Sequence, residues 1–146
     1  MSLRSLLPAV VVVVASAMIG GASGQTPGSE RMVERGGQSR IDQPRQVTAR
    51  TEAEWTALWR EHSPGRPAPA VDFSLEMVLG VFLGSRPTPG YGVEIVAARQ
   101  QGGELVVQYR ETPPPTGRIL AQLITSPFVI VARPRHQGPV RFEKLR

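Results

Sequence analysis

Apolar and polar positions along the chain fall into four successive patterns. Leu6 to Ile19 is almost continuously apolar and includes five consecutive valines. Gln25 to Gly37 then mixes glycine, serine and charge with little to bury. In "TEAEWTALWREH", Trp55, Leu58 and Trp59 recur at i, i+3, i+4, the spacing that gathers side chains on one face of a helix. Thr51 followed by Glu54 forms a capping box at its start, in which each side chain satisfies the other's backbone donor. The stripe holds both tryptophans of the protein, and it reads as core.

From Asp72 onward the period changes to short apolar runs separated by turn residues. "EMVLGVFLG" places Met77, Leu79, Val81 and Leu83 on one side and Val78 and Phe82 on the other, so this strand is expected to be covered on both faces. "GVEIVAAR" and "ELVVQYRE" flank Gln101–Gly103 as a tight hairpin, and "TPPPTG" interrupts the sheet. "ILAQLIT", "FVIVARP" and "VRFEKL" read as the remaining strands, with Ser126-Pro127 between the first two. Ile41 to Ala49 reads as a first edge strand, the position where Pro44 is tolerated. Pro64 to Pro69 makes a stiff connector after the helix. The expected fold is α+β and mostly β: an antiparallel sheet or sandwich of about six strands with one amphipathic N-terminal helix packed on it.

The N-terminal run changes where that fold begins. Arg4, the short apolar stretch and the small residues Gly20 to Gly24 follow the order of a secretory signal peptide. A membrane anchor needs about 20 apolar residues, and this run is shorter and interrupted by Pro8. The expected organisation is therefore a signal peptide over 1–24, cleaved after Gly24, a flexible leader over 25–40, and a single β-rich domain over 41–146. The mature protein is expected to be exported, periplasmic or extracellular, with no stable membrane anchor. The absence of cysteine removes disulfides, thiolate metal sites and cysteine nucleophiles from consideration.

Charge adds little. The formal net charge of the whole chain is +5, and one of its basic residues, Arg4, leaves with the signal peptide. Arg133, Arg135, Arg141, Lys144 and Arg146 against Glu143 make only the C-terminal end lopsided. No aromatic-studded basic face of the kind that binds nucleic acid is present, so no nucleic-acid partner is expected. The arginine-rich end instead supports an alternative reading as a structural or polyanion-binding protein of the cell envelope.

The residues offer no recognisable catalytic site. The histidines are His62, expected where a helix C-terminus favours a cationic ring, and His136 in a Pro/Gly turn. They lack zinc-site spacing, and the aspartates, Asp42 and Asp72, form no calcium cluster. Neither Ser85 nor Ser126 sits in a G-x-S-x-G elbow. "GSRPTPGYG" lacks the Gly-Lys-Ser/Thr end of a phosphate loop. The expectation is a binding module, not an enzyme, with no cofactor and no metal. Its candidate site is Thr88, Pro89, Gly90 and Tyr91. Pro89 supplies a fixed negative φ and Gly90 a positive one, as a type II turn requires, and Tyr91 stands at the exit.

"DFSLEMVLGVFLGSRPTPGYGVEI", Asp72 to Ile95, resembles the C-terminal domain of PrcB-like protease complex subunits, whose pattern is a V-F-L-G strand end, a T-G-G-Y turn and an apolar strand. "SPFVIVARPR", Ser126 to Arg135, resembles that family's S-P-(aromatic) segment and following strand. The likeness covers roughly Ile41 to Arg146, and the tryptophan helix fits it. The resemblance implies an exported, noncatalytic subunit or partner of a secreted protease. The turn motif falls on Thr88, Gly90 and Tyr91, while Pro89 stands where the pattern has glycine. At the level of this loop alone, the chain is also similar to chagasin-like protease inhibitors, which present a Thr-Gly-aromatic loop from a β-sandwich.

Overall fold

The computed structural model describes residues 29–146, so the expected signal peptide and the first residues of the expected leader lie outside it. Seven strands and one helix follow in the order β1 (Arg31–Gly36), β2 (Arg45–Ala49), α1 (Glu52–His62), β3 (Glu76–Phe82), β4 (Gly92–Gln101), β5 (Glu104–Thr112), β6 (Phe128–Pro134) and β7 (Val140–Leu145). A four-stranded antiparallel sheet has the order β1-β6-β3-β2, and a three-stranded sheet has the order β4-β5-β7. The mostly β, one-helix class expected from the pattern is the class observed. Among the described residues no helix is long and apolar enough to cross a membrane.

The two-sided apolar pattern of β3 sets the layering. Met77, Leu79 and Val81 join Val129 and Val131 of β6 in a core shared with Val93, Leu105, Val107 and Tyr109 of the second sheet. Val78 and Phe82 project the other way, with Phe128 and Ile130, into a second core with Trp55, Leu58 and Trp59 of α1. The first sheet is therefore the middle layer, and β3 and β6 are buried on both faces for that reason. Both tryptophan rings also place their N–H groups. Trp55 Nε1 donates to the Pro69 carbonyl at 2.9 Å and Trp59 Nε1 to the Arg66 carbonyl at 3.0 Å, so the helix staples down its own connector.

Four expectations need correction. The leader does not extend to residue 40: Arg31–Gly36 is paired as β1 against β6. The segment is poor in apolar residues, and polar contacts hold it: Arg31 pairs with Glu76 at 2.9 Å and Glu34 is hydrogen-bonded to His62 at 3.0 Å. The first strand of the expected domain begins at Arg45, after Pro44, although it does lie at an edge. "ILAQLIT" forms no strand. And β7 pairs parallel to β5, Leu105 opposite Val140 through Arg110 opposite Leu145, so the second sheet is mixed. The hairpin read at Gln101–Gly103 is present, with Gln101 opposite Glu104.

Candidate functional site

β3 leaves the sheet at Phe82 and β6 enters it at Phe128, directly opposite, so the segments beyond them emerge together at one end of the sandwich. The Leu83 N–H donates to the Pro127 carbonyl at 2.9 Å. Gly84 then takes φ +75° while pressed against Pro44, where a Cβ would lie 2.7 Å from the proline nitrogen, so only glycine fits. Two residues on, Arg86 and Thr125 exchange backbone hydrogen bonds of 2.7 and 2.9 Å. The Thr125 hydroxyl donates to the Thr88 carbonyl at 3.0 Å.

The turn itself has the backbone its sequence calls for. Gly90 has φ +96°, and a Cβ there would sit 2.8 Å from Cβ of Pro114. The glycine is thus required twice, by its dihedral angle and by the approach of the proline-rich loop after β5. Thr88, Pro89 and Tyr91 are half-buried and Gly90 is exposed, and the structure brings the four together as one tip.

Arg86 braces this tip from beneath. Its Nε donates to Glu111 Oε1 at 2.8 Å, and one terminal nitrogen donates to the carbonyls of Leu83 and Ser85 at 2.9 and 3.0 Å. Its guanidinium carbon lies 5.8 Å from the centre of the Tyr91 ring, within cation–π range. Glu111 also accepts from Lys144 Nζ at 2.8 Å. The Arg86 hydrogen bond, opposed by burial and joined by Lys144, holds the Glu111 carboxyl down at about 2. The carboxylate is fully charged at neutral pH and fixes Arg86 under the loop.

Sequence reasoning located the turn but not its second half. The loop from Pro113 to Thr125 packs on it through Pro114 and Thr125, and then runs out with Ile119, Leu123 and Ile124 104%, 53% and 69% exposed. The available signal was the apolar composition of "ILAQLI", broken only by Gln122, which reads as a strand.

A serine, a histidine and a carboxylate do line up elsewhere. Ser39 Oγ is 2.9 Å from His62 Nδ1, and Glu34 Oε2 is 3.0 Å from His62 Nε2. The ring is 1% exposed and closed in by Trp59, Phe82 and Phe128, and the Ser39 oxygen already accepts the Ile41 N–H at 3.0 Å. What this chain of bonds can do is hold β1, the following loop and α1 together. Among the described residues no group of His, Asp or Glu side chains is arranged to hold a metal ion.

Comparison with known proteins agrees with the resemblance drawn from the turn and strand motifs: residues 77–133 match the family described as PrcB C-terminal. That match runs from β3 through β6 and includes both loops of the tip. No curated protein and no solved structure matches the chain.

Proposed function

We propose, from the PrcB C-terminal signature carried by residues 77–133, that this protein is an exported, noncatalytic binding module that docks on a secreted protease through its two-loop tip. The observation that carries the reading is the fixed turn Thr88–Tyr91, tied to a loop with three exposed large aliphatic side chains. A surface held in shape before binding loses less entropy on association, and tyrosine offers a large contact area with few rotatable bonds. Clustered exposed apolar side chains are the usual mark of a protein contact site. What supports the noncatalytic part of this reading is that the Ser39–His62–Glu34 chain of hydrogen bonds is buried and committed to packing. Export rests on the order of charged, apolar and small residues at the N-terminus.

The polyanion reading draws less support. Arg141 is paired with Glu104 and Glu143 at 3.2 and 3.1 Å, and Lys144 with Glu111 at 2.8 Å, so much of the basic C-terminal strand is neutralised within its own sheet.

Affinity capture from an extracellular or periplasmic extract tests both. The expected outcome is a co-purifying protease that stays bound as salt rises. Capture of polyanions that elute steeply with salt would reverse the assignment, because exposed charge pairing is screened. Amino-terminal sequencing of exported material should find a start near Gln25, and an intact Met1 there would end the signal-peptide reading.

A further inference from the structure

Arg118 stands between Gly117 and Ile119 in the loop after β5, with all three residues exposed and the Ile119 side chain wholly in solvent. Gly117 has φ +77° and open space around it, so the chain turns freely just before the arginine. The loop is fixed near its ends, by Pro114 against Gly90 and by the pairing of Thr125 with Arg86. Among the described residues, no backbone hydrogen bond ties the stretch between those points to the rest of the fold.

The other basic residues of the described chain are each protected in a way that Arg118 is not. Most lie inside strands or the helix, and Arg146 is the last residue. Arg66, Arg86 and Arg133 are each followed by proline. Arg40 and Arg135 are tethered through their N–H groups to the His62 and Leu75 carbonyls at 2.9 and 3.1 Å, and the Arg50 N–H is held by Glu54 at 2.8 Å.

These differences are the ones a protease reads. A serine protease draws the segment it cuts across its cleft, so a bond inside a paired strand or a helix is refused until that element opens. A proline after the scissile carbonyl is refused too, because its nitrogen carries a ring in place of the proton. Exposed loops are where a folded chain is nicked, and a carboxylate at the base of the specificity pocket selects arginine before the cut.

We propose that the Arg118–Ile119 bond is a processing site for an arginine-specific serine protease, cut once in the folded protein to give a two-chain form. The enzyme's serine oxygen attacks the Arg118 carbonyl carbon, and the bond to the Ile119 nitrogen breaks. That nitrogen leaves as an amine with a proton from the enzyme's histidine. Water then hydrolyses the arginyl ester, leaving an Arg118 carboxylate and returning the serine. The cut does not unmake the fold: β6 stays between β1 and β3, and β7 stays beside β5. It does sever the span joining Pro114 to Thr125, the two contacts by which this loop grips the Thr88–Tyr91 turn. The site goes beyond the docking proposed above and does not depend on it.

Trace trypsin acting on the full mature chain without denaturant is the first probe, read by intact mass, amino-terminal sequencing and gel filtration. One early cut should give a fragment beginning at Ile119, and both fragments should elute together with intact protein. Arg118→Gln and Ile119→Pro, each at an exposed side chain, should slow that cut about tenfold or more. An extracellular or periplasmic extract should produce the same new amino terminus, and benzamidine, which mimics the arginine side chain, should block it. A first cut at another basic residue, equal rates for the variants, or fragments that separate would overturn the proposal. So would an extract that leaves the bond intact or cuts it despite benzamidine. Failure to capture a bound protease counts against the docking reading alone, because cleavage needs no stable complex.

Discussion

His62 Nε2 lies 3.0 Å from Glu34 Oε2, joining the last residue of α1 to the middle of β1 across the inner core. The strand is bulged between Met32 and Glu34, so Val33 and Glu34, consecutive in the chain, both reach the helix side. Burial raises the Glu34 carboxyl, but hydrogen bonds from His62 and Arg66 outweigh it and leave the pKa below the ordinary value. Ser39 Oγ, which accepts the Ile41 N–H, lies 2.9 Å from His62 Nδ1, and the Glu34 carboxylate accepts from Nε2. One side chain thus closes the polar account of three chain segments.

His62→Ala should cost on the order of 3 kcal/mol, because it leaves a cavity among aromatic rings and strands the partners of both ring nitrogens. Denaturant unfolding measures it. A loss below about 0.5 kcal/mol, the range of surface substitutions, would show that β1 does not depend on the bond.

Trp59→Ala should destabilise by about 3–5 kcal/mol, the range for removing a large buried aromatic. The indole is almost wholly buried, donates to the Arg66 carbonyl, and carries the Arg66 guanidinium 5.3 Å from its ring centre. An unchanged melting curve would contradict the packing described for α1.

Acid should loosen the tip in a defined window. The Glu111 carboxyl is held at about 2 in the folded protein against an ordinary 4.5, so its contribution to stability is complete above about 4.5 and drains away as pH falls toward 2. Glu111→Gln should therefore lower the melting temperature at neutral pH and flatten its dependence on pH between those limits. Identical slopes for the two proteins in thermal melts across that window would remove Glu111 as a cause.

At the turn, shape and side chain are separable. Tyr91→Ala should weaken partner capture while leaving the fold nearly intact, since the ring is half-buried and lies beside Arg86 at the loop exit. Gly90→Val should damage both capture and stability, because a β-branched residue resists φ +96° and its Cβ meets Pro114. If Tyr91→Ala unfolds the domain, the tyrosine belongs to the core and the docking reading loses its central residue.

What was legible in the sequence was local. The helix stripe of Trp55, Leu58 and Trp59, the two-sided β3 and the positive φ at Gly90 all follow from neighbours a few residues apart. Even the helix cap was legible with one change: Glu54 donates its N–H to Thr51 Oγ1 at 3.2 Å, but its carboxylate accepts from Arg50 and not from Thr51. The misses depend on distant partners. β1 holds its place through Glu76 and His62, which no pattern within Arg31–Gly36 reveals. "ILAQLIT" pairs only at Thr125, whose partner Arg86 lies far away in sequence. Of the tip, the turn could be read, but Pro114, Thr125 and Arg86 become part of it only once β5 and β6 are in register.

The strand order also sets how fast the molecule can form. β4 and β5 are the one pair of strands joined by a tight turn, while β1 must find β6 across the whole domain and β7 must cross over to lie parallel to β5. Chain closure must be bought before such distant pairings return any stabilisation, and domains dominated by them fold in milliseconds to seconds, about a thousandfold slower than helical bundles. A newly made chain therefore spends that interval open. For a protein proposed to be exported, slow folding leaves time for the polypeptide to be threaded across a membrane before its seven strands lock together.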